Sequence, residues 1–370
     1  MIIGLAAVRL SSGLVAGRGV PRFDGPLVAL AGAFLLLCWL STAWSIVPLQ
    51  SVKAALGISG VLLGLLVLWA RRDEPPETSE ILFRVMTVAM LVGVAAACVD
   101  IETGFHVESL VGTPPGVRGA TNYNRGFDYL VLIAWPVLAH AWWRHRRWAV
   151  AALALALAAV AVITLSLAAR VAVAVGLAML LLTLAMPRLI DRMLSWVVVT
   201  LVAVLPAALA VLSNYRTLLA PYLKPSGVNR LEIWNYMTAR VFDRPLLGWG
   251  LNSAKHVPIR PAELAHYIYV TTNGTYPHNQ WLELWVELGV VGVAAGLIFA
   301  VLALRRIRAL PQPLRPFAFA AFGSAMTVAS VNYEIFTDSW WCALAASAVL
   351  FSMLGRAAVS WPGRPGQDRP

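Results

Sequence analysis

Apolar residues run through most of this chain in blocks of about twenty, separated by short polar connections. A membrane-crossing helix needs roughly 20 predominantly apolar residues. By that measure the pattern predicts spans near 26–46, 52–70, 80–99, 127–143, 148–166, 168–186, 193–212, 281–304, 316–331 and 338–355. The stretch 149–169 carries no charged residue at all and is the clearest of them. Between 213 and 280 the apolar blocks stop and a different pattern replaces them. Within 229–243, Leu231, Trp234, Met237 and Val241 recur close to helical spacing, with Arg230, Asn235 and Thr238 as polar neighbours. Pro245 stops that helix, and Gly248 and Gly250 supply the turns that follow it. The expected fold is therefore all-α. It is a polytopic transmembrane bundle of about ten to twelve spans with one large periplasmic loop containing short helices. Along the chain this gives seven spans over 1–212, the loop over 213–280, and further spans with a cytoplasmic tail over 281–370. Gly289, Gly292 and Gly296 have the small-residue spacing of a closely packed span, which is a structural expectation only.

Composition agrees with a bilayer as solvent. Of 370 residues, 59% are hydrophobic and only 13% charged, where soluble domains carry roughly 25% charge. The net charge of +11 comes from arginines scattered between apolar runs and forms no basic domain, so nucleic acid is not an expected partner. Cys38, Cys98 and Cys342 all fall in apolar stretches and read as small core residues, neither disulfides nor ligands. The apolar start from Ile2 to Val8 is broken by Arg9 and is too short to span alone.

Charge also orients the bundle. Arg18 and Arg22, Arg71 and Arg72, Arg144 to Arg147, Arg188 and Arg192, Arg305 to Arg315, and Arg356 to Arg369 all lie in alternate connections. With Arg84 that side holds 17 basic and seven acidic residues, while the opposite side is balanced at 11 of each. The positive-inside rule makes the first side cytoplasmic. The connections at 100–126, 213–280 and 332–338 then face outward, and many of the fifteen tryptophans lie near span ends, as an interfacial belt requires.

Four polar residues stand out on that outer side. Arg170 lies three residues inside a span, where a charge is costly unless it snorkels or meets a partner. His278 sits where the long loop re-enters the membrane, and its reference pKa of about 6.5 suits a general base. Arg230 belongs to the loop helix, and Asp338 opens the last span, where it could also serve as a cap. Each has a plain structural alternative, but two cations, a base and a carboxylate on one face suit an anionic headgroup such as a diphosphate. The chain has no metal-site spacing, no phosphate-binding glycine loop and no Gly-x-Ser-x-Gly, so the donor is expected from the membrane and no cofactor is expected. Asn273-Gly274-Thr275 matches a glycosylation acceptor, a triplet common by chance.

At these positions the sequence resembles the O-antigen ligase and polymerase family of bacterial envelope glycosyltransferases. Asn-Arg-Leu-Glu-Ile-Trp at 229–234 and Asp-Arg-Pro-Leu-Leu-Gly-Trp-Gly at 243–250 are similar to its outer-loop signature. Pro-His-Asn-Gln-Trp-Leu-Glu at 277–283 and Glu-Leu-Gly-Val-Val-Gly at 287–292 are similar to its re-entry motif. Thr-Leu-Ser-Leu-Ala-Ala-Arg at 164–170 resembles a span-end element, with Ala169 where the family usually has serine. The resemblance implies a metal-independent transferase of the bacterial inner membrane with its site on the periplasmic side. Its donor would be a glycan on undecaprenyl diphosphate, a lipid-linked oligosaccharide, and its acceptor lipid A–core or another glycan, with membrane lipid as surroundings. By the same resemblance, Arg170 and Arg230 would hold the diphosphate and His278 would activate the acceptor hydroxyl. Asp338, Asn279, Arg244 and Trp234 would contact substrate. Ligation is the favoured activity, with repeat-unit polymerisation or transfer to protein as alternatives within the family. A transporter or flippase is the alternative of another class, and a structural subunit with a docking loop is a third reading.

Overall fold

In a computed structural model the chain is described over residues 25–70, 76–104, 121–270, 276–335 and 337–360. The apolar start, the glycosylation triplet and most of the 100–126 connection lie outside these residues. Every described regular element is helical. The long helices are α1 (Gly25–Ser41), α2 (Pro48–Ala70), α3 (Pro76–Glu102), α4 (Thr121–Trp143), α5 (Arg147–Ile163), α6 (Leu167–Ala185), α7 (Pro187–Asn214), α8 (Pro225–Asp243), α9 (Gln280–Arg308), α10 (Arg315–Val331) and α11 (Asp338–Ser360). All but α8 coincide with one of the apolar blocks. Among the described residues six helices are long and apolar enough to cross a membrane: α2, α3, α6, α7, α9 and α11. The chain forms two compact units, each discontinuous in sequence. One is Met1–Ala70, Asp191–Ala303 and Ala329–Asp338; the other is Arg71–Ile190, Leu304–Val328 and Ser339–Pro370.

The second unit packs α3 to α6 with α10 and most of α11. Small residues allow close approach here: a methyl on Gly176 would sit 2.4 Å from both Ser324 Oγ and the Trp135 ring. Trp135 Nε1 donates to Ser324 Oγ at 2.9 Å, and Ser324 donates on to the Ala172 carbonyl at 2.8 Å. At the arginine-rich ends, Glu80 gathers His140, Arg84, Arg144 and Arg146, with the His140 ring stacked on Phe83. Among the described residues Cys38, Cys98 and Cys342 form no disulfide, and Cys38 is fully buried.

The first unit contains the candidate chemistry. Residues 213–270 and 276–280 fold into a body built on α8. Its helix starts with Pro225 in the first turn, where proline's fixed φ fits and its missing N–H costs nothing. It ends at Asp243, just before Pro245. Ile233, Tyr236, Met237 and Val241 are each at most 2% exposed. They join Leu209 of α7, Trp249, Val257, Val270, and Leu282 and Val286 of α9 in one core. Burying such side chains contributes roughly 1.5–3 kcal/mol apiece before entropy is counted. Packing of this face, more than helix propensity, therefore holds α8 in place.

α9 departs from the straight span expected over 281–304. Gly289 has φ 60° and ψ −156°, which is not helical. In a straight helix Trp281 and Gly296 would lie about 22 Å apart along the axis. Here a methyl on Gly296 would lie 3.1 Å from the Trp281 ring and 3.0 Å from Leu284 Cδ1. The limb 280–288 is thus folded back against 290–308, so the glycines serve a bend inside one chain segment. The limb 290–308 alone, about 28 Å long, is close to the roughly 30 Å of a hydrocarbon core.

Candidate functional site

The folded-back limb of α9 creates a platform against which the loop is clamped. Trp249 N and Gly250 N donate to the carbonyls of Val286 and Glu287, each at 2.9 Å, and Val290 N donates to Pro245 O at 2.9 Å. The backbones approach so closely that Gly248 and Gly289 admit no side chain: a Cβ would lie 2.4 Å from Glu287 C and 2.3 Å from Leu246 O respectively. Both glycines have positive φ, which costs glycine little. Buried carboxylates complete the clamp. Glu287 accepts from Asn252 N at 2.8 Å and Ala254 N at 3.1 Å, and Glu283 accepts from Ile335 N at 2.8 Å. On α8, Glu232 accepts from Ile268, Tyr269 and Val270 N–H groups at 2.8, 2.8 and 3.1 Å.

His278 lies at the edge of this platform, two residues before α9, with φ 51°. Its ring is tilted 42° against Tyr276 with centroids 4.0 Å apart. Nδ1 is shielded from solvent and has no hydrogen-bond partner among the described residues. The ring bonds to the backbone of Asn332, an interaction that favours its charged form. A carbonyl acceptor at the other nitrogen assigns the proton there and leaves Nδ1 with a free lone pair. Burial, the larger cause, and the nearby Arg230 charge together bring the His278 pKa down to about 4. Arg230 is half-buried and, among the described residues, makes no ion pair. Burial holds its guanidinium below the ordinary value, with Tyr276 acting the opposite way. Trp234, one turn along α8, donates from Nε1 to the Pro277 carbonyl at 2.8 Å, tying α8 to the histidine's own segment. Lys255 approaches the other side of this cluster, 5.4 Å from the Tyr276 ring centroid and paired to Glu334 at 2.8 Å.

The sequence candidates thus separate. His278, Arg230 and Trp234 come together in the first unit. Asn279, beside them, is buried and uses Oδ1 to accept from Leu282 N at 3.0 Å, an N-cap for the short limb. Arg244 caps the end of α8 with its guanidinium 4.1 Å from the Trp249 ring centroid. Asp338 is exposed in the first turn of α11, where an acidic side chain suits the helix dipole. Arg170 is exposed on α6 in the second unit and donates to the carbonyls of Thr164, at 2.9 and 2.6 Å, and Val162, at 3.2 Å. These are orphan acceptors at the end of α5. Ser166 caps α6 instead, accepting from Ala169 N at 3.1 Å. Tyr276, Lys255, Glu334 and Glu232 were not among the candidates. Glu232 lies inside the quoted 229–234 motif, where a glutamate set between Leu231 and Ile233 is its one signal, and Tyr276 immediately precedes the motif at 277–283. Among the described residues no group of three or more His, Cys, Asp or Glu side chains is gathered as a metal ion would need.

Comparison with known proteins bears on this same stretch. Residues 151–297 match the family model of O-antigen ligases. That segment runs from α5 through α8 and His278 to beyond the bend in α9. A Rickettsia conorii protein named "putative polysaccharide ligase" is 28% identical over 126 residues, covering 32% of this chain and 29% of that protein. Proteins of the same name from Rickettsia felis and Rickettsia typhi are 26% and 27% identical over similar stretches, each 30% of the relative's length. The aligned region is therefore under a third of each of these relatives. No solved structure matches the chain.

Proposed function

We propose that the chain is a multi-pass inner-membrane glycosyltransferase that moves a preassembled glycan from undecaprenyl diphosphate to lipid A–core on the periplasmic side. The observation that carries this reading is the half-buried Arg230, without an ion pair among the described residues, beside His278, whose Nδ1 has no partner among them. A half-buried guanidinium without a counter-charge favours an arriving anion, and a diphosphate offers oxygens matched to its fork. With ten spans and 213–280 outside the membrane, Arg230 and His278 lie on the periplasmic face.

In the proposed step an acceptor hydroxyl oxygen attacks the anomeric carbon of the donor glycan. The bond from that carbon to the diphosphate oxygen breaks, and undecaprenyl diphosphate leaves with the electron pair. The hydroxyl proton passes to His278 Nδ1. Arg230 stabilises charge growing on the leaving oxygen, the kind of interaction that is stronger in the transition state than before it. The names of the relatives favour ligation over repeat-unit polymerisation.

The test is transfer in proteoliposomes containing the lipid-linked glycan and lipid A–core. His278→Ala and Arg230→Ala should each lose at least about a hundredfold in rate, the lower range for a general base or a charge-stabilising donor. Full transfer by both variants would sink the mechanism. Free lipid-linked polymer in a deletion strain would support ligation, whereas single repeat units left on the carrier would point to a polymerase.

A further inference from the structure

On another face of the same loop body, Arg216, Asn235, Arg260, Glu263, His266 and Tyr267 line an open cavity of about 380 Å³. That volume lies in the range of roughly 300–1,000 Å³ common for small-ligand sites. Its wall is an ordered network. Tyr267 Oη donates to Asn235 Oδ1 at 2.7 Å, and Asn235 Nδ2 donates to Ser213 Oγ at 2.9 Å. His266 Nδ1 bonds to the Ala262 carbonyl at 2.7 Å, which leaves Nε2 as an acceptor. The Tyr267 hydroxyl also keeps acceptor capacity, and burial, with Glu263 adding, pushes its pKa up to about 12, so it stays neutral.

The charges in the wall are paired with one exception. Arg240 binds Glu263 at 2.8 Å, and Arg260 holds Asp243 through two contacts at 3.1 and 3.2 Å. Arg216 has its guanidinium carbon 5.7 Å from the Tyr267 ring centroid, and among the described residues its polar contact is a 3.4 Å bond to the Ser213 carbonyl. Among the described residues it has no carboxylate partner. An aromatic face, neutral groups that both donate and accept, and one uncompensated cation are complementary to a sugar ring bearing a negative group. Ring C–H bonds can lie on Tyr267, hydroxyls can exchange hydrogen bonds with Asn235, Tyr267 and His266, and the anion can meet Arg216.

We infer that this cavity is a saccharide-binding subsite selective for an acidic sugar, one carrying a carboxylate or phosphate, held through Arg216 and Tyr267. The inference rests on the glycan-transfer reading only for the source of the sugar; occupancy of the cavity needs no transfer. The full chain in detergent is titrated with glucuronate, glucose and inorganic phosphate and followed by saturation-transfer NMR. Glucuronate should bind saturably and at least tenfold more tightly than glucose or phosphate. Arg216→Gln should abolish that preference without weakening glucose, and Arg216→Lys, which keeps the charge and controls for folding, should retain most of it. Tyr267→Phe should weaken both sugars several-fold. Absence of saturable glucuronate binding, equal affinity for the two sugars, or an unchanged preference in Arg216→Gln overturns the proposal. Phosphate binding as tightly as glucuronate reduces the cavity to a bare anion site and overturns it too. Transfer of a neutral glycan should be unchanged by Arg216→Gln, so failure here and failure of the transferase reading remain distinguishable.

Discussion

His278 should titrate far below an ordinary histidine, and this sets the pH dependence of both activity and stability. Its ordinary pKa of 6.5 is brought to about 4, first by burial and then by the Arg230 charge. At pH 6 such a ring is about 1% protonated, where an unperturbed one is about three-quarters protonated. As the free enzyme's base it should give kcat/KM an acid limb near pH 4, with a plateau from about 5.5 upward. A bound diphosphate neutralises Arg230 and removes one of the two depressing causes, so the limb in kcat, which reports the complex, should lie at higher pH. Arg230→Gln should raise the free-enzyme limb as well, yet leave it under 6.5 because burial is the larger cause. The stability sign follows from the same shift. Between pH 4 and 6.5 the unfolded chain binds the proton and the folded chain does not. The neutral ring's contribution is therefore full above 6.5 and is lost as pH falls towards 4. A shift of this size corresponds to roughly 3 kcal/mol as an upper bound. Thermal unfolding of the wild type and His278→Gln between pH 4 and 7 measures it: the wild type should lose more stability on acidification than the variant. A kcat/KM limb at 6.5, together with parallel acid destabilisation of the two proteins, would refute the reasoning.

Three substitutions and one control test the scaffold. Gly289→Ala places a Cβ 2.3 Å from the Leu246 carbonyl oxygen at φ 60°, ψ −156°, a region open almost only to glycine, at roughly 1–3 kcal/mol before the clash. It should sharply lower the melting temperature, while Gly93→Ala, with open space around it, should leave it unchanged or raise it. Arg240 is 1% exposed and binds Glu263, Asp243 and the Pro258 carbonyl. Arg240→Leu removes the partner of Glu263 and the Pro258 carbonyl and should cost about 1–3 kcal/mol, read as lost thermal stability, and an unchanged melting temperature would show the cluster to be slack. Arg170→Gln removes bonds at an exposed helix end worth roughly 0.5–1.5 kcal/mol in all. If Arg170 also holds the diphosphate, KM for the donor should rise at least tenfold beyond any change in folded fraction; unchanged KM would reduce it to a cap.

Much of the fold was legible because its signals are local. Each of the ten apolar blocks is a helix, since a block of that length records its environment without reference to anything distant. The loop helix was legible for the same reason: Leu231, Met237 and Val241 recur on one face and are buried together, and Pro245 ends the helix where its ring must. Arg230 and His278 could be named because cations and imidazoles are conspicuous against apolar surroundings. Their partners were not legible. Tyr276 acts through a ring contact, and Glu232 through backbone N–H groups 36 to 38 residues away. Neither relation leaves a spacing in the sequence. Arg170 shows the same limit, since its depth in an apolar block says nothing about the carbonyls of Val162 and Thr164 that it reaches.

Gly289 marks where periodicity gives out. The run 281–304 is apolar apart from Glu283 and Glu287, and its three glycines fit a packing stripe as well as a bend. Two distant facts separate these readings. One is the Pro245 carbonyl, which takes the hydrogen bond of Val290; the other is the Leu246 carbonyl, which leaves no room for a Cβ. The bend in turn gives the preceding limb its role. Folded back, residues 280–288 present Glu283 and Glu287 to backbone donors of the loop and of the 332–338 connection, and they fix the entry from which His278 projects. A straight helix would carry the same two glutamates away from the amides of Asn252, Ala254 and Ile335 and leave buried carboxylates without partners, an arrangement costing several kcal/mol per ion. The unusual backbone at Gly289 and the buried acids are thus two halves of one device, and the position of the candidate base depends on both.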